Sequence, residues 1–222
     1  MCIRDSYYKV PVEKYKKLMF ENVTKLYKRG DDNLERTTNL KMKQLADQLD
    51  IADRIDILAP QPPYIKLKDH KRNFRQATPC RLINPCKTEI GKISKQILDR
   101  INKELVTKTR ANQWKSTNAV LEWFKNVPTE DNSTFIIFDI INYYPSISKE
   151  LLCKAIQFAE MHTEITPLEK EIIYEAKNSI LFHDNKPWIK KDGNGAFDVT
   201  MGSWDGAETC ELIGTYLSLI HI

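Results

Sequence analysis

Long apolar runs are missing from this 222-residue sequence. The longest falls far short of the roughly 20 residues a helix needs to span a bilayer, which excludes a helical membrane anchor within these residues. No secretory signal is expected within these residues, since the N-terminal stretch has no apolar core of suitable length. Cysteine is scarce, odd in number and scattered. Cys2, Cys80, Cys86, Cys153 and Cys210 suit reduced thiols, so an intracellular setting, nuclear or cytoplasmic, is expected. Cys80 and Cys86 form no CxxC knuckle, and no second pair completes a zinc site. No internal repeat or low-complexity segment appears. What is present is ordinary: 41% hydrophobic and 29% charged residues, enough to bury a core in one large domain or two small lobes.

The net charge of +4 hides an asymmetry. Residues 61–110 carry eight Lys, five Arg and four acidic residues, a surplus of +9 that leaves −5 for the remainder. A basic segment joined to an acidic body suits a polyanionic partner, and equally a solvated basic face. Both ends stand apart from this pattern. "MCIRDS" (1–6) and "LSLIHI" (217–222) resemble translated sequencing adapters, so the chain between them is expected to be an internal fragment.

Periodicity predicts a helix over 11–29, a turn at "GDDN" (30–33) and a second helix from about Thr38 to Asp50. "APQPP" (59–63) reads as a stiff connector. "YIKLKDHK" (64–71) and "CRLINP" (80–85) read as two strands of a basic hairpin. Helices are expected over about 90–105, with Ile93, Ile97, Ile101 and Leu105 on one face, and over about 117–127. "FIIFDIINYYPSIS" (135–148) begins as a buried strand. A helix over 149–161 follows, capped by Ser148, and then one opened by Thr166, Pro167 and Glu169. Residues 181–203 read as strands turning at Asp184-Asn185 and Asp192–Gly195. A last helix starts near Asp205, with Glu208 completing a capping box. The class is α+β, an antiparallel sheet packed on helices. Trp114, Trp123 and Trp188 read as packing residues.

Chemistry is first signalled at Asp139. A carboxylate within "FIIFDII" is costly to bury unless something pairs with it. A core ion pair or a capping hydrogen bond is one answer. A hard divalent cation, taking Asp139 and the Ile140 backbone carbonyl as two oxygen ligands, is the other.

"FDIINYYPSI" resembles the first catalytic motif of reverse transcriptases. Further segments match in order. "YIKLKDHK" with "CRLINP" resembles the fingers hairpin, and "GNGAFDVTMGSWDGAE" the turn and helix that grip template and nucleotide. The spelling is most similar to Penelope-like elements: Lys68, His70 and Lys71 match their fingers motif, and Met201, Gly202 and Ser203 their turn. The likeness covers roughly residues 60–216. It implies RNA-directed DNA polymerase activity, in which a primer 3′-hydroxyl attacks the α-phosphate of a deoxynucleotide. The implied cofactor is two Mg2+ ions, with Mn2+ as a substitute, held in part by Asp139 and Ile140. The implied nucleotide contacts are Lys68 and Arg81 on the triphosphate, Tyr144 screening the sugar 2′ carbon, and Met201 and Gly202 shaping the pocket. Tyr143 is assigned to packing and His70 to the hairpin. Lys71, Lys92, Lys95 and Lys103 are expected on nucleic-acid phosphates. The implied partners are an RNA or DNA template with its primer and deoxynucleoside triphosphates, with no membrane.

Two departures qualify the likeness. Gly206 and Ala207 stand where the family has Ser-Pro, with Asp205 just before. The Tyr-x-Asp-Asp motif is missing, and Asp31–Asp32 precede the first motif and cannot replace it. The expected division is therefore a helical lead-in (7–58), fingers (59–127) and an incomplete palm (128–216). A fragment inactive by itself is expected, or a polymerase fold that only binds nucleic acid.

Overall fold

The computed structural model describes residues 9–55, 62–111, 113–114, 116–126, 139–191, 193 and 195–221. The chain is mixed α+β with small antiparallel sheets. Its main core joins four helices: α4 (Glu89–Thr109), α7 (Lys149–Glu160), α8 (Pro167–Glu175) and α9 (Gly206–His221). Leu98, Ile101, Leu152, Ile156, Ile173 and Leu212 are fully buried there. Each such side chain contributes roughly 1.5–3 kcal/mol by leaving water.

Local signals set the helix starts. The Thr88 hydroxyl accepts from Gly91 N and opens α4, and the Ser148 hydroxyl accepts from Leu151 N and opens α7. Thr166 and Glu169 form the full capping box of α8 with Pro167 in its first turn, as the sequence predicts. At α9 the predicted box does not form. The Asp205 carboxylate is paired with Lys177 and Ser94, and Glu208 reaches Lys95.

Before these come α1 (Val12–Leu26), β1 (Tyr27–Arg29), α2 (Asp32–Gln48) and a 3₁₀ turn (Ala52–Arg54). Next are β2 (Tyr64–Leu67), the single turn α3 (Phe74–Ala77) and β3 (Cys80–Ile83). After α4 come α5 (Thr117–Asn126) and the short α6 (Tyr143–Ser146); β4 (Leu181–His183) and β5 (Lys186–Lys190) lie between α8 and α9. The hairpin β2–β3 is antiparallel with Leu67 opposite Cys80 and Tyr64 opposite Ile83, as expected. The hairpin β4–β5 turns on Asp184 and Asn185, both at positive φ (52° and 55°). That pair of left-handed residues gives the tight turn that matches strand twist.

Three boundaries differ from expectation. The helix predicted over 11–29 ends at Leu26, because Tyr27–Arg29 pairs with β5, Tyr27 opposite Lys190 and Arg29 opposite Trp188. That partner lies far along the chain, beyond any local pattern. Helix α2 starts at Asp32 rather than near Thr38, since the Asp31 side chain accepts from Asn33 N and caps it early. Helix α4 runs on to Thr109, where Arg110 adopts a left-handed conformation. The N-terminal segment is thus joined to the rest: Met19, Val23 and Tyr27 pack with Ile65 of the hairpin and Leu181 of β4.

Of the strand expected to begin at residue 135 and to hold Asp139, residues 135–138 lie outside the described residues. Asp139, Ile140 and Ile141 are exposed and belong to no strand, so the carboxylate is not buried in a sheet. Cys80, Cys86, Cys153 and Cys210 are free thiols.

Candidate functional site

A cleft of about 200 Å³ opens where α1, the β2–β3 hairpin, α6 and the residues before α9 meet. The hairpin contributes Lys68 and Arg81. Arg81 sits opposite Lys66 in the ladder, and Lys68 N donates to Pro79 O at 2.8 Å, closing the end of the pairing. Lys25 and Tyr27 enter from the end of α1 and from β1, Tyr144 from α6, and Lys190 from β5. The segment Asp198–Met201 forms the back wall. Four predicted nucleotide contacts, Lys68, Arg81, Tyr144 and Met201, therefore line one cavity, although they are far apart in sequence.

Both adjacent tyrosines touch the main core, and Tyr144 also lines the cleft. Tyr143 packs against the main core and donates its hydroxyl to Cys210 O at 2.7 Å. Tyr144 is half-buried at the cleft, and burial pushes its hydroxyl up to about 12. It stays a neutral phenol at physiological pH, a flat apolar face with a donor at its edge.

Gly202 is required by the fold itself, independently of any ligand. Its φ is +121°, and a Cβ there would lie 2.8 Å from the Asn84 carbonyl oxygen and 3.0 Å from Ile83 Cγ2. The close neighbour is the foot of the hairpin. Met201 O accepts from Asn84 N at 3.1 Å, which ties back wall to hairpin.

Asp198 was not anticipated. It is buried, its Oδ2 accepts from the Tyr27 hydroxyl at 2.6 Å, and Lys190 Nζ lies 3.8 Å from Oδ1. Burial raises its carboxyl pKa against the pull of Tyr27 and Lys190. Burial and Asp198 together push the Tyr27 phenol well above its ordinary value. The signal that marks Asp139, an acid among apolar neighbours, is also present in "AFDV"; no sequence signal identifies Tyr27 or Lys190 as its partners. The lining thus holds four cations, Lys25, Lys68, Arg81 and Lys190, against one carboxylate. Such a balance favours phosphate oxygens, with Arg81 able to fork onto two of them and Lys68 acting as a point charge.

The other predicted contacts are dispersed. Lys71 is exposed in the hairpin loop. Lys92 is paired with Glu89 and lies 5.6 Å from the Trp204 ring centre; Lys95 is held by Glu208 and Asp99. Lys92 and Lys103 are both exposed, and the carboxylates beside Lys92 and Lys95 offset part of their charge. Asp139 does not line the cleft, although Asn142, three residues on, does. Among the described residues no three His, Cys, Asp or Glu side chains are grouped to hold a metal ion. Two magnesium ions need a larger oxygen donor set than Asp139 and the Ile140 carbonyl provide, so the described residues do not by themselves fit that cofactor. Among the described residues no helix is long and apolar enough to cross a membrane. No family model, no curated protein and no solved structure matches the chain.

Proposed function

We propose that the cleft binds a deoxynucleoside triphosphate, and that the chain is the nucleotide-holding part of a reverse transcriptase of the retroelement kind. In the parent reaction a primer 3′-hydroxyl attacks the α-phosphate and pyrophosphate leaves. The observation that carries this reading is the convergence of Lys68, Arg81, Tyr144 and Met201 on one cavity. Arg81 and Lys68 take the phosphate oxygens and orient the chain of phosphates along the hairpin. Lys190, held by the Ile147 carbonyl at 3.2 Å and by Asp198, adds a cation deeper in the cleft. Tyr144, in the cleft lining, would serve as the side chain that screens the sugar 2′ position and favours the deoxy sugar. Magnesium, implied by the likeness, would supply charge neutralisation for the transfer itself.

A second reading has one observation in its favour. Asp139 is exposed and does not line the cleft, a placement also suited to a polymerase fold that binds nucleic acid without catalysis. Arg81→Ala separates the two. For a nucleotide contact, affinity for a deoxynucleoside triphosphate falls about 10- to 100-fold, the worth of a charge-assisted hydrogen bond, while primer–template binding changes little. The reverse pattern makes Arg81 a template contact and overturns the nucleotide assignment.

A further inference from the structure

Behind the cleft's back wall lies a charge shielded from solvent. Lys177, just past α8, has 1% of its side chain exposed, and its Nζ pairs with the Asp205 carboxylate, which is 0% exposed. Ser94 of α4 donates to the same carboxylate oxygen, while Asp205 Oδ1 has no donor. Lys177 Nζ has its ionic partner but no well-aligned acceptor. Burial lowers its pKa, and Asp205 opposes the shift. A half-satisfied buried pair of this kind adds little stability over apolar residues of equal volume, because desolvation offsets the attraction. What it contributes is geometry.

Lys177 also holds the other end of the wall. Its carbonyl accepts from Asp198 N at 2.8 Å. Between Asp198 and Asp205 runs the segment that lends Val199, Thr200 and Met201 to the cleft. Midway, Met201 O is bonded to Asn84 N, and Asn84 Nδ2 donates to Ser179 Oγ at 3.0 Å, two residues from Lys177. The wall is therefore fixed at three points, two of them on one residue.

We propose that Lys177 is a positioning residue whose side chain and carbonyl clamp residues 198–205 as a rigid wall. The clamp sets the spacing between Met201 and the hairpin cations Lys68 and Arg81. Lys177 touches no ligand, and its influence on nucleotide binding rests on the reading of the cleft given above.

The test compares Lys177→Met with Lys177→Met/Asp205→Leu in the whole chain. Three quantities are followed: thermal midpoint, amide exchange at Asn84 and Asp198, and affinity for dTTP. The single variant leaves a buried carboxylate alone and lowers the midpoint by roughly 10 °C. The double variant regains most of the loss, short of the cost of the Ser94 hydroxyl left without its acceptor. Its Asn84 and Asp198 amides still exchange about tenfold faster, and dTTP still binds about tenfold more weakly, because the wall has lost its directional anchor. Recovery of exchange and affinity together with the midpoint overturns the proposal, as does a single variant that matches wild type throughout. If the wild-type chain binds no dTTP, the nucleotide reading fails, and exchange alone decides the clamp: fast amides in the double variant support it, wild-type rates overturn it.

Discussion

Two concentrations of charge lie on either side of one backbone segment, residues 198–205, and they are built in opposite ways. At the front, Lys68 and Arg81 stand on a two-stranded hairpin at the rim of the cleft. Behind, Lys177 and Asp205 are removed from solvent and meet each other. The rim cations keep their hydration, cost little to hold, and are available to an incoming phosphate. The buried pair has given up its hydration and can meet no ligand, so its effect is confined to the shape of the wall. On the proposed reading, charge that binds and charge that positions lie on opposite sides of this one segment.

Gly202 lies between the two and gives the largest effect outside the buried pair. Gly202→Ala places a Cβ 2.8 Å from the Asn84 carbonyl at a φ of +121°. Strain and overpacking together cost about 2–4 kcal/mol, read as a lowered urea midpoint. Nucleotide affinity falls with it, since the wall must move off the hairpin foot. A variant as stable as wild type contradicts the close seating of wall on hairpin.

A smaller effect sharpens the contrast through its tyrosines. Tyr27 is bonded to buried Asp198 in the cleft lining, and Tyr144 lines the same cleft without that bond; burial raises both phenols. A group whose folded pKa is raised contributes stability that is complete below its unfolded value, near pH 10, and is lost as pH climbs toward the folded value. The chain is therefore expected to weaken above pH 10, with Tyr144 losing its share by about pH 12. That share is on the order of 1 kcal/mol after allowance for its partial exposure. Urea midpoints between pH 8 and 11.5 check this, and Tyr27→Phe flattens the decline. A midpoint that stays level across the range contradicts the burial of Tyr27 against Asp198.

Much of this was legible in the sequence where the cause is local. The capping box at Thr166 and Glu169, the Ser148 cap, the Asp184-Asn185 turn and the β2–β3 pairing all follow from neighbouring residues, and each is found. What could not be read depends on distant partners. Tyr27 leaves its helix to join a strand whose residues lie more than 150 positions on. Asp205 looks like a helix cap from its spacing, yet the buried Lys177 and Ser94 claim its carboxylate first. The acid among apolar neighbours singled out Asp139, which is exposed, although "AFDV" carries the same cue at Asp198, which is buried and lines the cleft. Composition around an acid signals a constrained carboxylate, and only the tertiary neighbours decide which one is constrained.

The most direct test maps the lysines that a nucleotide covers. Limited acylation of the whole chain, read by mass spectrometry with and without dTTP, compares Lys25 and Lys68 at the cleft with Lys103 on α4. The account predicts that saturating dTTP slows labelling of Lys68 and Lys25 several-fold while Lys103 is unchanged, since only the first two can share the phosphates. Unprotected Lys68, or equal protection of Lys103, contradicts a nucleotide seated against the hairpin.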